Sequence, residues 1–319
     1  MEGVLGTQYE LALSVDGRAV HAIITQVGAA IRQLSVDGVE IAPVFDDHDI
    51  APFSCGTVLI PWPNRVRDGR WVHHGQTLQL DVDDIRHRAA LHGLLRGTAY
   101  QPVERSASSI TLSAPVVEQS GYPFRLDTKV CYRLVADGLE TTHTVHNTGS
   151  GPAPVAIGAH PFLMIGDVPT EDLTLTVNGR RHIELDHQRI PVGSTAVDGT
   201  EWDLRAGRVI ADLDLDDAWS DLVPTDGGSV HTLRSPDGRA VTLWADDNFG
   251  FVHAFITREF PCGATFVTAV AVEPMTAPAD ALNSGVGLRW LAPGESMSAS
   301  WAVRYHDGRG SVAVDVAEQ

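Results

Sequence analysis

The sequence contains little cysteine. Its three cysteines, Cys55, Cys131 and Cys262, are an odd number and include no Cys-x-x-Cys pair. This pattern argues against a disulfide framework and against a metal centre held by thiolates. We expect all three to be reduced core residues.

Long apolar runs and a leader-like N-terminus are also missing. Residues 1–13 lack a basic segment followed by an apolar one, and no stretch approaches the ~20 apolar residues that span a bilayer. We therefore expect a cytoplasmic protein with no membrane segment.

Basic residues are scarce relative to acidic ones. The chain has 23 Lys and Arg against 41 Asp and Glu, which gives a formal net charge of -18. Such a surface repels phosphate backbones and anionic membranes, so neither nucleic acid nor a membrane is an expected partner. The hydrophobic fraction of 43% is that of an ordinary globular protein.

Motifs for nucleotide and covalent chemistry are absent. The chain has no Gly-x-x-x-x-Gly-Lys-Ser/Thr, no Gly-x-Gly-x-x-Gly between a strand and a helix, and no Gly-x-Ser-x-Gly elbow. Its 14 histidines raise the question of a metal. However, His143 and His146 should point to opposite faces of a strand, and the adjacent His73 and His74 should diverge as well. We predict neither a metal nor a cofactor.

Turn signals dominate what the sequence does contain. Nine Asp-Gly or Asn-Gly pairs tolerate the positive φ angles of tight turns, and most are flanked by short runs of β-branched, aliphatic and aromatic residues. They are Asp16-Gly17, Asp37-Gly38, Asp68-Gly69, Asp137-Gly138, Asn178-Gly179, Asp198-Gly199, Asp226-Gly227, Asp237-Gly238 and Asp307-Gly308. The pattern predicts successive hairpins.

Residues 139–147 alternate between two faces, as expected of a strand, and no segment carries a sustained helical stripe. So many hairpins must bury two sheet faces against each other, which predicts an all-β fold, a large antiparallel β-sandwich. No linker divides the chain. We therefore predict one domain over residues 1–319.

Three polar residues lie in unusual local contexts. His92 is followed by Gly93, and His160 precedes a proline, which favours an extended backbone. Glu273 follows the apolar run of residues 269–272 and also precedes a proline. A carboxylate at the end of a buried strand would have a raised pKa and would serve as a base near neutral pH. The residue alone is equally consistent with a strand-end glutamate that points into water.

Several motifs in order along the chain indicate a family. They are Pro63-Asn64-Arg65-Val66, Leu91-His92-Gly93, Gly158-Ala159-His160-Pro161-Phe162, Asp216-Asp217-Ala218-Trp219, Glu273-Pro274 with residues 278–283, and Leu291-Ala292-Pro293-Gly294-Glu295. In these motifs the chain resembles the aldose 1-epimerase (galactose mutarotase) family over nearly its whole length. The resemblance implies a large β-sandwich, no cofactor, and interconversion of the α and β anomers of a free aldose.

The resemblance also implies roles for individual residues. Glu273 would be the base that removes the proton of the anomeric hydroxyl, and His160 the acid that protonates the ring oxygen. His92 would hold the sugar near that oxygen. Arg65 and Asp216 would bind hydroxyls, with Asp217 in place of Asp216 if the register slips by one residue. Since Glu273 must be ionised and His160 protonated, ordinary pKa values near ~4.3 and ~6.5 would leave a window of activity between them.

Three other functions remain open. The segment from Leu91 to Arg96 is also similar to hexose-6-phosphate 1-epimerases, in which Arg96, with Arg65 or Arg67, would bind a phosphate. A non-catalytic sugar-binding module would need an aromatic platform such as Trp62 or Trp219, for which core packing is the alternative explanation, more so for Trp244 and Trp301. A glycoside hydrolase would use two carboxylates, Glu273 and Asp216. We expect a small-molecule sugar as partner, and a homodimer is left open.

Overall fold

The structure is a computed structural model, and it describes residues 3–46 and 50–308. Its strands in the first half of the chain are β1 (Gln8–Val15), β2 (Arg18–Thr25), β3 (Ile31–Val36), β4 (Val39–Ala42), β5 (Val58–Leu59), β6 (Arg65–Arg67), β7 (Arg70–His73), β8 (Gln76–Gln79), β9 (Ala89–Leu91), β10 (Gln101–Arg105), β11 (Ser109–Val116), β12 (Leu126–Val135), β13 (Gly138–Asn147), β14 (Ala153–Val155) and β15 (Gly158–Ala159).

The second half continues with β16 (Phe162–Leu163), β17 (Thr174–Thr176), β18 (Gly179–Leu185), β19 (Pro191–Ala196), β20 (Arg208–Val209), β21 (Asp216–Leu222), β22 (Gly228–Arg234), β23 (Ala240–Asp246), β24 (Phe251–Cys262), β25 (Thr265–Met275), β26 (Arg289–Leu291) and β27 (Ser296–His306). Helical structure within the described residues is limited to α1 (Ala281–Ser284) and to 3-10 turns at Pro52–Ser54, Thr170–Asp172 and Ile210–Asp212. No helix in this part of the chain is long and apolar enough to cross a membrane.

Two large antiparallel sheets form the body of the fold. One has nine strands in the order β10-β11-β12-β13-β27-β23-β22-β17-β20. The other has eight, in the order β19-β18-β21-β24-β25-β15-β5 with β16 also paired to β25. A four-stranded sheet, β1 to β4, contacts β12 and β13, and three two-stranded sheets join β6 to β9, β7 to β8 and β14 to β26. The prediction of an all-β sandwich is confirmed.

One continuous hydrophobic core joins the sheets because alternate residues of each strand face inward. In β13, for example, Leu139, His143 and Val145 are buried while Thr142 is exposed. The predicted alternation of residues 139–147 is therefore confirmed, and His143 and His146 do lie on opposite faces. His143 accepts a hydrogen bond from the Trp301 indole inside the core, at 2.9 Å.

The Asp-Gly pairs predict turns better than they predict strand partners. Four of the nine, at residues 16–17, 37–38, 137–138 and 237–238, connect consecutive strands that pair with each other. The expectation of a hairpin at most of the pairs was wrong. Asn178-Gly179, for instance, carries the chain from β17 in the nine-stranded sheet to β18 in the eight-stranded one. A tight turn fixes a change of direction, whereas the sheet that the next strand joins depends on where its apolar face is buried.

Candidate active site

Three polar side chains lie on one face of the eight-stranded sheet, on three adjoining strands. Asp216 begins β21, His253 is in β24 and Glu273 is in β25. His253 and Glu273 are directly opposite each other in the register of their two strands. Since side chains alternate along a strand, Asp217 points to the other face of the sheet.

The small sheet of β6 and β9 provides the opposite side of the site. Asn64 precedes β6 and His92 follows β9, so the antiparallel pairing brings both residues to the same end. Both have left-handed backbones, with φ of 56° and 61°. The backbone N–H of His92 donates to the Asn64 carbonyl at 2.8 Å, and the backbone N–H of Asn64 donates to His92 Nδ1 at 3.1 Å. These two bonds fix the His92 imidazole.

Close backbone packing explains two glycines in the motifs. A Cβ at Gly93 would lie 2.2 Å from the carbonyl oxygen of Ile60. The same oxygen accepts a hydrogen bond from the backbone N–H of the next residue, Leu94, at 2.8 Å. A Cβ at Gly158 would lie 2.6 Å from Cβ of Pro63. Both positions exclude any side chain, so these glycines hold the loops that carry His92 and His160.

The segment before α1 supports β6 from outside the site. The backbone N–H of Asp280 donates to the carbonyl of Arg65 at 2.6 Å, and its Oδ1 accepts the backbone N–H of Arg67 at 2.9 Å. Asp280 has a left-handed φ of 61° and is held there by these bonds and by Asn283. The motif at residues 278–283 therefore positions Arg65 without lining the site itself.

His160 and Glu273 form a buried pair at the centre of the site. Their side chains are 5% and 1% exposed, and His160 Nε2 lies 3.3 Å from Glu273 Oε1. The ring of His92 meets that of His160 edge-on, with centroids 5.1 Å apart. Among the described residues, neither His160 Nδ1 nor Glu273 Oε2 has a hydrogen-bond partner. The pair lines a cavity of about 260 Å³ together with Asn64, Arg65, His92, Asp216 and His253.

Asp216 is surrounded by positively charged or donating groups. Its Oδ1 lies 2.9 Å from His253 Nε2, and its Oδ2 lies 3.5 Å from both Arg65 Nη2 and Arg189 Nε. Burial opposes ionisation of Asp216, but the bond to His253 and the charges of His253, Arg65 and Arg189 outweigh it and hold its pKa far below the usual range. Asp216 is thus an ionised acceptor at every ordinary pH.

The environments of Glu273 and His160 displace their pKa values toward the neutral forms. Burial raises the pKa of Glu273 to about 7, although the charge of His253 opposes the rise. Burial and the charge of His253 lower the pKa of His160 to about 3. Burial likewise lowers the pKa of His92 well below its ordinary value. His253 differs, because the carboxylates of Glu273 and Asp216 outweigh its burial and raise its pKa.

A known protein family matches most of the chain. Residues 11–304 match the family model described as aldose 1-epimerase.

The chain belongs to the aldose 1-epimerase family.

Its similarity to YihR of Escherichia coli K12, a protein described as uncharacterized, is 29% identity over 278 residues, covering 86% of this chain and 87% of YihR. Among solved structures, the GalM/aldose epimerase homologue from C. elegans has a TM-score of 0.81 at 18% identity, covering 94% of this chain and 99% of that one. The galactose 1-epimerase from Lactobacillus acidophilus NCFM has a TM-score of 0.73 at 18% identity, covering 94% and 95%. These two likenesses show the common fold.

The structure brings all five residues predicted from the family motifs into one cavity, namely Glu273, His160, His92, Arg65 and Asp216. Between the two neighbouring acids, Asp216 lines the cavity and Asp217 binds His182 behind the sheet. Glu273 is buried, so the alternative of a strand-end glutamate pointing into water was wrong. The roles of the five residues stay predictions.

Sequence reasoning assigned no role to His253 or Asn64, although both line the cavity. Asn64 Nδ2 lies 3.5 Å from His253 Nδ1. Asn64 Oδ1 accepts a hydrogen bond from Arg65 Nη1 at 3.2 Å. The available signal for His253 was a polar residue facing the same way as Phe251 and Phe255 in the otherwise apolar run of residues 251–256.

Two other expectations were wrong. Trp219 is no platform for a sugar, because it is fully buried and packs edge-on against His182, whereas Trp244 is partly exposed. His73 and His74 do not diverge, since their ring centroids are 4.1 Å apart. His74 lies in the turn after β7 with φ of 48°, so strand alternation does not apply to it.

The side chains of His92, His160 and Glu273 carry atoms of the kinds that bind metals, and these atoms lie within 4.8 Å of one another. His92 does not suit that purpose. Its Nδ1 accepts the backbone N–H of Asn64, so in the neutral ring the proton is on Nε2, which faces the site. A protonated ring nitrogen cannot ligate a cation. The same tautomer makes His92 a hydrogen-bond donor to a sugar oxygen.

Proposed function

We propose that this chain interconverts the α and β anomers of a free aldose by general acid and base catalysis. The observation that carries the proposal is the buried pair of His160 and Glu273, 3.3 Å apart at the centre of the cavity. Anomerisation requires one proton to leave the anomeric hydroxyl and another to reach the ring oxygen, and both oxygens are bonded to the same carbon. An acid and a base in contact suit two sites that are so close together.

Ring opening then proceeds in one exchange of protons. The carboxylate of Glu273 takes the proton of the anomeric hydroxyl while the imidazolium of His160 gives its proton to the ring oxygen. The bond from the anomeric carbon to the ring oxygen breaks and leaves an aldehyde. Rotation about the adjacent carbon-carbon bond presents the other face, and the reverse transfers close the ring. The Nε2–H of His92 would donate to the sugar, and Arg65 and Asp216 would bind its hydroxyls.

The number of protons that His160 and Glu273 hold at a given pH differs from the number expected from their ordinary pKa values. With Glu273 at about 7 and His160 at about 3, the pair holds one proton between these values, and the proton rests on Glu273. The reactive form is reached when that proton crosses the 3.3 Å to His160. Activity should therefore fall below about pH 3, where both groups are protonated, and above about pH 7, where both have lost the proton.

Exchange NMR of the anomeric protons, with polarimetry, tests the proposal. A positioned proton-transfer group contributes ~10²- to 10⁴-fold, so Glu273→Gln and His160→Asn should each lower kcat by about that much while sugar binding survives. Because both residues act in one cycle, the double variant should lose much less than the product of the two losses. Near-normal turnover by Glu273→Gln would show that the base is misassigned.

The charge of the cavity favours a neutral sugar over a phosphorylated one. The Arg96 guanidinium, which lines the cavity, is ion-paired with Asp83. Arg67 is bonded to Asp186 and Gln188, each at 2.7 Å, and is directed away from the cavity. We expect glucose to be a better substrate than glucose 6-phosphate. A large preference for the phosphorylated sugar, lost in Arg96→Ala, would instead support a hexose-6-phosphate 1-epimerase.

A glycoside hydrolase is the second candidate, because one observation favours it. Glu273 and Asp216 line one cavity with pKa values displaced in opposite directions, a pattern that also suits an acid and a nucleophile. Release of reducing sugar from aryl and alkyl glycosides tests it.

A non-catalytic sugar-binding module would bind aldoses without accelerating anomer exchange, and its affinity would not depend on Glu273 and His160 together.

A further inference from the structure

Arg65 has its shortest hydrogen bond to an acid that does not line the cavity. Its Nε donates to Oδ2 of Asp84 at 2.8 Å, whereas its contact with Asp216 inside the cavity is 3.5 Å long. Hydrogen bonds between charged groups are ordinarily about 2.7–2.9 Å long. The main partner of the Arg65 guanidinium is therefore Asp84, and its contact with Asp216 is a loose one.

The loop that carries Asp84 fixes its carboxylate. The backbone groups of Asp84 and Ala89, the first residue of β9, bond to each other in both directions at 3.0 Å. Asp84 Oδ1 accepts the backbone N–H of His87 at 3.1 Å, and Oδ2 lies 2.8 Å from His87 Nδ1. Burial opposes ionisation of Asp84, but the hydrogen bonds from Arg65 and His87 outweigh it and lower its pKa. Asp84 is thus a fixed negative charge beside Arg65.

The guanidinium of Arg65 keeps donors to spare. It carries five N–H groups in one plane, so a bond at Nε sets the direction of both Nη groups. Among the described residues, acceptors are present for three of the five, since Nη1 donates to Asn64 Oδ1 at 3.2 Å and Nη2 makes the long contact with Asp216. Two N–H groups remain for the oxygens of a ligand.

We propose that Asp84 is a positioning residue, which keeps Arg65 from closing onto Asp216 and so leaves both side chains able to bind sugar hydroxyls. The side chains of Arg65 and Asp216 are only 11% and 17% exposed, and opposite charges with so little water around them attract strongly. Without a competing carboxylate, the two would form a short ion pair and satisfy each other. This inference rests on the proposed anomerase function.

The second arginine that lines the cavity is held from the same loop. Arg96 is ion-paired with Asp83, whose Oδ1 also accepts the backbone N–H of Leu91 at 2.8 Å. Two adjacent acids, Asp83 and Asp84, therefore each hold one arginine of the cavity. Because each of these positive charges is matched by a carboxylate of the loop, the arginines can act as hydrogen-bond donors to a neutral ligand.

The test variant is Asp84→Asn, which removes the charge and keeps the size of the side chain. Its matched control is Asp203→Asn, because Asp203 accepts hydrogen bonds from Nε and Nη2 of Arg205 at 2.8 and 2.7 Å and neither residue lines the cavity. Arg65→Gln, alone and combined with Asp84→Asn, shows whether Asp84 acts through Arg65. Asp84→Glu keeps the charge, moves the carboxylate by one methylene and serves as the milder change.

The experiment measures kcat and KM for glucose by anomer-exchange NMR. A group displaced by about 1 Å can cost up to ~10²-fold, and lost binding that is common to the ground and transition states raises KM while kcat is kept. We expect Asp84→Asn to raise KM by ~10-fold or more with kcat changed by less than about threefold. Asp84→Glu should raise KM by less, and Asp203→Asn should leave both constants unchanged.

The double variant separates a positioning role from a structural one. Arg65→Gln should itself raise KM, and adding Asp84→Asn to it should change KM by less than about twofold, because the residue through which Asp84 acts is already gone. If Asp84 served only the fold, its loss would lower kcat through a smaller active fraction, leave KM unchanged and have the same effect in the Arg65→Gln background.

Several results would overturn the positioning role. They are a normal KM in Asp84→Asn or in Arg65→Gln, independent effects of the two substitutions, and failure of both Asp84→Asn and Asp84→Glu to fold in a circular dichroism melt. In each of these cases the unmodified chain still exchanges the anomers of glucose, so the proposed function stands. Absence of exchange in the unmodified chain would refute the proposed function itself, and the inference with it.

Discussion

Two Asp–His pairs on neighbouring residues of one strand have nearly identical geometry and very different surroundings. Asp216 Oδ1 lies 2.9 Å from His253 Nε2, and Asp217 Oδ1 lies 2.9 Å from His182 Nε2. The first pair lines the cavity and adjoins Arg65 and Glu273. In the second pair, His182 is stacked flat on Trp202, with ring centroids 3.9 Å apart.

The difference shows what distinguishes a site from a buried polar pair. The Asp–His distance is the same in both pairs and both histidines are buried, so neither feature is diagnostic. The pair with Asp216 has space for a ligand and further charges directed at it, whereas the remaining oxygen of Asp217 accepts the backbone N–H of Asp216 at 3.2 Å. This hydrogen bond helps to hold Asp216 in place, so the pair behind the sheet supports the pair that lines the cavity.

We expect the largest difference between the two pairs in the activities of their Asp216 and Asp217 variants. Under the proposed function Asp216 accepts a hydrogen bond from a sugar hydroxyl, and Asp216→Asn would remove the charge of that acceptor. A hydrogen bond to a charged group is worth about 1.5–3 kcal/mol, so kcat/KM should fall by roughly 10- to 100-fold. Asp217→Asn should lower it by less than about threefold. Anomer exchange of glucose at a fixed pH is the measurement. Equal losses would mean that the two pairs act as one unit.

For stability we expect the opposite order, because the free energy of unfolding should depend more on His182 than on His253. His182→Leu leaves the buried Asp217 without its side-chain partner, at a cost of about 1–3 kcal/mol in the free energy of unfolding. His253→Leu should cost less, because Asp216 keeps Arg65 and Arg189 and its side chain is 17% exposed. Urea titrations of both variants at neutral pH provide the comparison, and a larger loss in His253→Leu would contradict it.

The pH profile should respond to one histidine only. The charge of His253 lowers the pKa of both Glu273 and His160. In His253→Gln that charge is gone, both pKa values rise, and both limbs of the profile of kcat/KM move to higher pH. The matching variant His182→Gln should leave both limbs in place. An unmoved profile in His253→Gln would show that His253 carries no charge in the working enzyme.

Chelators should have the smallest effect of all. Since Nδ1 of His92 is occupied by a backbone donor, the cavity offers a poor ligand set, and prolonged treatment with EDTA should leave the exchange rate unchanged. An exchange rate that EDTA abolishes and zinc restores would contradict this expectation. It would mean that the Asp216–His253 pair differs from the Asp217–His182 pair in having a metal ion beside it.

The sequence predicted the site better than it predicted the path of the chain. Proline and glycine mark His92, His160 and Glu273 because the backbone around them must turn sharply or pack closely, as at Gly93 and Gly158. His253 has no such neighbours and occupies an ordinary strand position, so its role arises only when β24 pairs with β21 and β25. The same reason explains the mistaken hairpin at Asn178-Gly179, where the choice between two sheets depends on distant partners.

The site is assembled from two sheets, and this has a consequence for how the protein loses activity. Arg65 belongs to the small sheet of β6 and β9, and Asn64 and His92 directly adjoin its strands. Asp216, His253 and Glu273 belong to the eight-stranded sheet. The hydrogen bonds described between the two groups, from Arg65 to Asp216 and from Asn64 to His253, are both 3.5 Å long. Such weak contacts can open in a local fluctuation that leaves the main sheets paired. On gentle warming, the chain would therefore be inactivated reversibly before it melts.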